Sequence, residues 1–273
     1  MVFRRKRSLK HRMVQAARQA PRQGRDLRAA ASQLDIPWAR SWIARVFREA
    51  FLRFVLEPTM DFYTRRRTKG RERLSGLRGP VILVANHASH MDTPAILGAL
   101  PRRLRKRTAV AAAADYFYRR RLVALLVSLV FNTVPLERFG GGLSKRSTAH
   151  LDRLLDSGWS LLLYPEGTRS RMGGPGRVRR GAAVLANAHG LPIVPIRVTG
   201  THEAMPPGRF WPKRLRGRVI SRRHRVEIVF GEPIAPAPDA TALTERVQRF
   251  FEQRRDGETS ADLYGRERAA SRR

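Results

Sequence analysis

The sequence predicts an α/β fold with a largely parallel mixed sheet flanked by helices and an N-terminal amphipathic helical element. From position 73 onward, short apolar runs alternate with segments of helical periodicity, which is the pattern of βαβ units. The chain has 273 residues, 42% of them hydrophobic, so it can bury one large core. Ahead of this region, apolar residues recur along one face of a single helix.

Each apolar run predicts a strand, and each periodic segment predicts a helix that covers the sheet. The predicted strands are 81–85, 108–112, 131–136, 159–164, 191–198 and 225–231. The predicted helices are 94–100, 116–130, 144–157, 180–189 and 240–254. The stretch 200–217 is rich in Pro, Gly, Trp and Arg and predicts a surface loop.

Charge is the most extreme feature of the composition. The chain carries 55 Lys and Arg against 22 Asp and Glu, a net charge of +33 at pH 7. Such a surface attracts anions, which include nucleic acid, anionic membranes and phosphorylated small molecules. The sequence has no nucleic-acid recognition motif, so nucleic acid is not expected as the main partner. The absence of cysteine excludes disulfides, thiolate metal sites and thiol catalysis.

Composition shifts divide the chain into four parts. Residues 1–34 predict a basic flexible arm, 35–64 an amphipathic membrane-associating helix, 65–255 the folded domain and 256–273 a disordered polar tail. No stretch reaches the ~20 apolar residues that a transmembrane helix needs. The N-terminal residues lack the apolar core of a signal peptide, so export is not expected.

The predicted N-terminal helix has one apolar face and one charged face. The apolar face consists of Ile43, Val46, Phe47, Ala50, Phe51 and Phe54. The opposite face consists of Arg45, Arg48, Glu49 and Arg53. We expect the helix to end at Glu57, before Pro58. Two interpretations are open: a helix that packs on the core of the protein, or an interfacial membrane helix.

A second apolar segment, at 122–134, is also open to two interpretations. It is about thirteen residues long and contains Ser128 and Asn132, so it is too short to cross a membrane. It predicts either a core helix or, together with the helix at 38–56 and the basic arm, a monotopic membrane anchor.

Polar residues cluster where the first predicted strand ends, in the stretch NHASHMDTP at 86–94. On a helix, positions 87 and 92 would point about 140° apart. His87 and Asp92 can meet only if the strand ends near Asn86 and a turn follows. Pro94 predicts that a helix starts there, with Thr93 as its N-cap. The carboxylate would then orient the imidazole, whose other nitrogen could take a proton from a hydroxyl.

Other interpretations of this cluster are possible. His87 and Asp92 could form a loop pair with no catalytic role, and His87, His90 and Asp92 could bind a metal ion. No other cluster with ligand spacing supports a metal site. A hydrolase triad would need a nucleophile, and the chain has neither a G-x-S-x-G elbow nor a cysteine.

Four blocks in order resemble those of the glycerolipid acyltransferases, the family of 1-acylglycerol-3-phosphate acyltransferase. They are NHASHMD at 86–92, VPLER at 134–138, YPEGTRS at 164–170 and IVPI at 193–196. The resemblance covers roughly residues 65–235 and implies an acyltransferase domain over 65–255. The second block has Leu136-Glu137 where the family has Ile-Asp, and Ala114–Phe117 replaces a lysine-containing signature.

The resemblance implies transfer of an acyl group from acyl-CoA or acyl carrier protein to a lysophospholipid hydroxyl. His87 would be the general base and Asp92 the residue that orients it. The implied substrate-binding residues are Arg138, Glu166, Gly167, Thr168, Arg169 and Arg171. No metal or other cofactor is expected, because the acyl thioester is a co-substrate.

The default acceptor implied by the resemblance is 1-acylglycerol-3-phosphate, which would give phosphatidic acid. The same chemistry on another lysophospholipid or a glycolipid stays open, as does a non-catalytic protein that binds anionic membranes or nucleic acid. Both substrates of an acyltransferase of this kind are amphiphiles, so we expect anionic membrane lipids as partners. The expected location is the cytoplasmic face of the cell membrane, with the protein bound as a peripheral or monotopic enzyme.

Overall fold

A seven-stranded sheet organises the molecule. The computed structural model describes residues 36–113, 121–136, 145–167, 169–170, 176–209, 211–214 and 222–253. The strands are β1 Thr64–Lys69, β2 Ile82–Ala85, β3 Thr108–Ala113, β4 Thr133–Leu136, β5 Ser160–Leu163, β6 Ile193–Thr199 and β7 His224–Phe230. Their order across the sheet is β1-β7-β6-β2-β5-β3-β4.

Helices cover both faces of this sheet. They are α1 Trp42–Phe51, α2 Glu57–Tyr63, α3 Asp92–Ala99, α4 Arg102–Arg105, α5 Arg121–Phe131, α6 Lys145–Asp156, α7 Gly181–Ala188, α8 Thr201–Ala204 and α9 Ala240–Glu252. Short 3₁₀ turns lie at Pro37–Arg40 and Arg71–Leu74, and a π turn lies at Leu52–Leu56. The predicted fold class, with its N-terminal helical element, is confirmed.

Because β2, β5 and β6 run in the same direction, their carboxyl ends lie together on one side of the sheet. All pairs among β2 to β6 are parallel, and the antiparallel β6–β7 pair turns β7 and β1 the other way. The central strand β2 pairs with β5 on one side and β6 on the other and is buried on both faces. Its side chains alternate between two cores: Leu83 and Ala85 pack in one, Ile82 and Val84 in the other.

Strand β1, with the sequence TRRRTK, was not predicted. It pairs in parallel with β7 at the edge of the sheet. Only Thr64 of its six residues is buried, so the strand lacks the apolar alternation by which a half-buried strand is recognised. Charged side chains are common on edge strands because they discourage pairing with another chain.

The prediction that the N-terminal helix ends at Glu57 is wrong, because the chain continues as helix to Tyr63. A π turn over Leu52–Leu56 joins α1 to α2, and the amide of Glu57 donates to the carbonyl of Leu52, five residues back. Pro58 therefore falls in the first turn of α2, where its missing N–H costs least. The hydroxyl of Thr59 donates to the carbonyl of Val55 at 2.6 Å, which satisfies one carbonyl at this junction.

The orientation of α1 contradicts the interpretation that its apolar face packs on the core. Ile43, Val46, Phe47 and Phe54 are 63%, 59%, 45% and 77% exposed. Arg48, on the predicted charged face, is only 8% exposed. The N-terminal helix thus turns Arg48 and Glu49 toward the protein and its exposed apolar side chains outward.

Arg48 joins α1 to α5 through backbone carbonyls. Its Nε donates to the carbonyl of Leu129 at 3.0 Å, and its Nη2 donates to the carbonyls of Ala39 at 2.7 Å and Ser128 at 3.4 Å. The carbonyls of Ser128 and Leu129 belong to the last turn of α5, where most carbonyls lack a helical partner, although that of Ser128 also accepts the amide of Asn132 at 2.8 Å. Burial lowers the pKa of Arg48 to about 10, so the guanidinium stays charged at neutral pH.

A second polar contact attaches the same helix to the sheet domain. Arg105 on α4 donates from Nε and Nη2 to the two carboxylate oxygens of Glu49, at 2.8 and 2.9 Å. This two-point geometry is the strong form of an arginine–carboxylate pair. The charged face of α1 is therefore used for docking onto the domain.

Two adjacent helical segments consequently present exposed apolar side chains, which we call the apolar platform. Its members are Trp38, Trp42, Ile43, Val46, Phe47, Phe54, Val55 and Phe62 from the N-terminal segment and Leu122, Val123, Leu125 and Leu126 from α5. Within α5, Ala124 and Ser128 are buried. The 122–134 segment thus exposes most of its leucines on α5, whereas Asn132, Thr133 and Val134 at its end are buried.

The contacts of Arg48 generate a stability prediction. Arg48→Met keeps most of the volume but removes the guanidinium that donates to the carbonyls of Ala39 and Leu129. We expect a loss of about 2–4 kcal/mol in the free energy of unfolding, measured by urea denaturation. Arg53→Met on the same helix is the control: Arg53 is 74% exposed, and its ion pair with Glu57 should contribute under about 1 kcal/mol. Equal losses in both variants would contradict the docking role of Arg48.

Candidate active site

His87 and Asp92 meet directly, as the sequence predicts. Strand β2 ends at Ala85, the chain turns over the next residues, and α3 begins at Asp92. Nδ1 of His87 lies 2.9 Å from Oδ2 of Asp92, with the His87 side chain 16% exposed and that of Asp92 1% exposed. The imidazole is therefore reachable at the surface of the site, whereas the carboxylate is enclosed.

The predicted role of Thr93 as N-cap is wrong, because α3 begins one residue before it. Asp92 organises the turn: its Oδ2 accepts the amides of Ala88 at 2.7 Å and Ser89 at 2.8 Å. Pro94 still lies in the first turn, where no intrahelical donor is needed. The hydroxyl of Thr93 instead lies 2.7 Å from that of Tyr164.

The aspartate contact selects the protonation pattern of the imidazole. An ionised carboxylate only accepts, so Nδ1 of His87 carries the proton that points to Asp92. Nε2 is then the nitrogen with a lone pair for a substrate proton. The ring of Tyr164 stacks on that of His87 at a centroid distance of 4.1 Å, which fixes the plane of the imidazole.

The loop after β5 holds the backbone of His87 on both sides. The amide of His87 donates to Oε1 of Glu166 at 3.2 Å, and its carbonyl accepts the amide of Ser170 at 2.7 Å. Burial raises the pKa of Glu166, while hydrogen bonds from the amides of His87 and Gly176 favour its ionised form. Glu166 is thus bonded to the backbone of the His87 loop and positions that loop.

Gly167 makes the turn in the same loop with a left-handed backbone, φ +79°. A Cβ there would lie 3.2 Å from the guanidinium carbon of Arg179, so the side chain of Arg179 rests against the turn. The amide of Arg179 also donates to the carbonyl of Pro165 at 3.2 Å. Sequence reasoning missed Arg179, although the basic run of Arg177, Arg179 and Arg180 after the loop was a signal that could have identified it.

An arginine, Arg169, lies close to His90 beside this site. Burial, with Arg169 as the next contributor, lowers the pKa of His90 to about 4, so His90 is neutral at physiological pH. Arg169 is therefore close to the loop that carries His87. Within the described ranges, no group of three His, Cys, Asp or Glu side chains could hold a metal ion.

Five of the predicted site residues converge at the carboxyl ends of β2 and β5. They are His87, Asp92, Glu166, Gly167 and Arg169. Arg138, Thr168 and Arg171 lie outside the described residues. Because β2 and β5 are neighbours in the sheet, the loops that follow them are adjacent, which is the usual location of sites in α/β proteins.

Comparisons with known proteins identify a family and several relatives that this chain resembles. A family model described as Acyltransferase matches residues 65–199, a segment that contains both loops of the site. The chain is similar to the chloroplastic 1-acyl-sn-glycerol-3-phosphate acyltransferase LPAT1 of Arabidopsis thaliana, with 30% identity over 140 residues. That match covers 51% of this chain and 37% of the relative.

Two further curated relatives have related names. A 1-acyl-sn-glycerol-3-phosphate acyltransferase of Pseudomonas aeruginosa is 42% identical over 62 residues, 23% of this chain and 21% of the relative. An N-acylphosphatidylethanolamine synthase of Arabidopsis thaliana is 32% identical over 165 residues, 57% of this chain and 56% of the relative. Each match covers less than two thirds of the relative's own length.

The fold is also that of a solved structure. The crystal structure of the 1-acyl-sn-glycerophosphate acyltransferase PlsC from Thermotoga maritima superposes with a TM-score of 0.54 at 23% identity, covering 75% of this chain and 80% of that one. The fold and the paired loops thus define an acyltransferase domain. The family model and the curated relatives support assignment of this domain to the glycerolipid acyltransferases.

Proposed function

We propose that this protein transfers a fatty acyl group from acyl-CoA or acyl carrier protein to the free hydroxyl of 1-acylglycerol-3-phosphate. The observation that carries the proposal is the His87–Asp92 pair, whose Nδ1 and Oδ2 atoms lie 2.9 Å apart. The pair lies after the carboxyl end of β2, beside the loop that follows β5 and contains Glu166 and Arg169. A base oriented by a buried carboxylate, beside an arginine, suits a substrate that has both a hydroxyl and a phosphate.

The chemistry follows from the oriented imidazole. Nε2 of His87 takes the hydroxyl proton as the oxygen attacks the thioester carbonyl, and Asp92 stabilises the imidazolium that forms. The C–S bond then breaks, and His87 returns the proton to the departing thiolate. The enzyme ends in its starting protonation state and forms no covalent acyl intermediate. A positioned general base contributes about 10²–10⁴ in rate, and alignment of the two substrates supplies much of the rest.

The first test removes the base and its orienting group. His87→Ala should abolish transfer, and Asp92→Asn should lower kcat by at least about a hundredfold, because the amide can present its NH₂ toward the ring and favour the wrong tautomer. The assay uses radiolabelled acyl-CoA with a panel of acceptors and chromatographic separation of products. A chelator should leave the wild type unchanged. Full transfer by His87→Ala would refute the proposed function, and strong inhibition by the chelator would support a metal site instead.

Arginines in and beside the loop after β5 are the proposed phosphate ligands. Arg169 is near the His87 loop and Arg179 lies against the Gly167 turn, so both can approach one headgroup. A guanidinium offers two parallel donors to a phosphate, which an ammonium cannot reproduce. We assign the same function to Arg138 and Arg171 on the family resemblance, while Glu166, Gly167 and Thr168 shape the acceptor pocket.

The second test concerns the acceptor. Arg169→Ala should raise the KM for 1-acylglycerol-3-phosphate about tenfold to a hundredfold, because a charge-assisted hydrogen bond is lost. Arg169→Lys should recover part of this loss. Arg153→Ala, at an exposed arginine of α6, is the matched control. It should change neither the KM for 1-acylglycerol-3-phosphate nor the KM for the acyl thioester. The acyl thioester KM should move little in all variants.

Monoacylglycerol, which lacks the phosphate, supplies the substrate control. It should be a poor acceptor for the wild type and no worse for Arg169→Ala. If Arg169→Ala raises only the KM for the thioester, Arg169 binds the phosphates of coenzyme A, and our acceptor assignment is incorrect.

A second acceptor class follows from one comparison. The relative named N-acylphosphatidylethanolamine synthase aligns over 57% of this chain, and its name specifies acylation of an amine. The same base could deprotonate an ammonium or a hydroxyl. The acceptor panel should therefore include phosphatidylethanolamine, other lysophospholipids and a glycolipid beside 1-acylglycerol-3-phosphate.

We also propose that the protein binds the cytoplasmic face of the cell membrane as a peripheral or monotopic enzyme. The apolar platform supports this, because aromatic and aliphatic side chains insert into the boundary between headgroups and acyl chains. The net charge of +33 suits the anionic lipids of that leaflet. In the portion that the structure describes, no helix has the length and apolar character to cross a bilayer.

The third test separates the apolar from the electrostatic part of membrane binding. Sedimentation with vesicles of phosphatidylglycerol and phosphatidylcholine should show partial loss of binding at high salt, because salt screens exposed charges. The triple variant Trp42→Ser, Phe54→Ser, Leu122→Ser should lose the remainder that resists salt. Val184→Ser is the control, since Val184 is 52% exposed on α7 outside the platform. Salt-resistant binding that survives in the triple variant would place the anchor elsewhere.

A further inference from the structure

The carboxylate of Asp92 accepts four hydrogen bonds, and one of them comes from a distant part of the chain. Oδ2 accepts Nδ1 of His87 and the amides of Ala88 and Ser89. Oδ1 accepts the hydroxyl of Thr201 at 2.5 Å, across 109 residues of sequence. Thr201 and Asp92 are both 0% exposed. Thr201 is thus the side-chain donor to the oxygen that faces away from the imidazole.

The fold brings Thr201 to this position through the end of β6. Strand β6 is the direct neighbour of β2, so its last residues approach the His87 loop. Gly200 has φ +87°, and a Cβ there would lie 1.9 Å from the carbonyl oxygen of Arg225, so only glycine fits. The left-handed turn at Gly200 starts α8, whose first residue is Thr201.

Further bonds hold the two segments together. The side-chain amide of Asn86 donates to the carbonyl of Val198 at 2.9 Å and accepts the amide of Val198 at 2.7 Å. The hydroxyl of Ser89 donates to the carbonyl of Met205 at 2.7 Å. Thr201 is therefore held rigidly relative to the loop that carries Asp92, which a positioning donor requires.

We propose that Thr201 is a positioning residue for the His87–Asp92 pair, an inference that rests on the proposed function. Its hydroxyl fixes the plane of the carboxylate, so that Oδ2 stays directed at Nδ1 of His87. It also stabilises the negative charge of a carboxylate that is fully buried, where an unpaired Oδ1 would be unfavourable. Thr201 acts on the reaction through Asp92 and does not contact the substrate.

Two variants of Thr201 separate the hydroxyl from the shape of the side chain. Thr201→Val keeps the volume and removes the donor, whereas Thr201→Ser keeps the donor. In the full-length protein, we expect Thr201→Val to lower kcat about tenfold to a hundredfold with both KM values unchanged. Thr201→Ser should stay within a fewfold of the wild type.

The pH–rate profile gives a signature that a purely structural residue would not. Without the Thr201 hydroxyl, the carboxylate of Asp92 is a stronger hydrogen-bond acceptor, so it stabilises the imidazolium form of His87 more strongly. His87 must be neutral to act as a base, so the acid limb of kcat/KM should move to higher pH in Thr201→Val. The acid limb of Thr201→Ser should coincide with that of the wild type.

Thr64→Val is the matched control, because Thr64 is also 0% exposed and its hydroxyl donates within the chain to the carbonyl of Met60. It should leave kcat and the pH profile unchanged. Thermal melts establish folding, and Thr201→Ala takes the place of Thr201→Val if the latter does not fold, with the same expectations. Wild-type kcat and pH profile in the variant without the hydroxyl would overturn the inference. So would equal kcat losses in Thr201→Ser and Thr201→Val with an unshifted acid limb.

The failure of this inference is distinguishable from failure of the proposed function. If the wild type transfers no acyl group, or His87→Ala transfers as well as the wild type, the proposed function is incorrect. If the wild type is active and His87→Ala is inactive while Thr201→Val is unaffected, only the role of Thr201 is refuted.

Discussion

The buried carboxylate of Asp92 is the interaction on which the geometry of the site depends. A buried charge is tolerated only where hydrogen bonds replace its lost hydration, and here four donors do so. They come from the imidazole of His87, two amides of the turn and the hydroxyl of Thr201. One residue therefore closes the turn after β2, starts α3 and orients the imidazole. Displacing any of these groups would remove one of the four donors that compensate the buried charge.

Sheet order explains why three separate loops can serve one carboxylate and one imidazole. Strand β2 lies between β5 and β6, and all three run in the same direction. The loop after β5 brings Glu166 and the amide of Ser170 to the backbone of His87. The turn after β6 brings Thr201 to Asp92. The site is thus assembled at the carboxyl ends of these three strands, and its residues come from sequence positions far apart.

The N-terminal helix shows how charge can direct a helix face inward. Arg48 and Glu49 each find strong partners on the domain, the first in backbone carbonyls at the end of α5 and the second in Arg105. These bonds stabilise burial of Arg48 and Glu49, so the exposed apolar side chains of α1 and α5 both remain outside. An apolar surface of this kind calls for a covering partner, and a bilayer that contains both amphiphilic substrates fits the proposed reaction.

Local signals in the sequence determined the fold class, strands β2 to β7 and the contact of His87 with Asp92, because apolar periodicity and a short turn act over a few residues. Strand β1 was not predicted because its side chains lack apolar alternation. Its place in the sheet comes from its backbone pairing with β7. The same limit applies to α1: periodicity identifies two faces, but only the partners at Arg48 and Glu49 decide which face is buried. Thr201 and Arg179 join the site through strand order and a glycine turn, which are properties of the assembled sheet. Contacts between residues distant in sequence depend on which strands become neighbours, so only the tertiary structure could decide them.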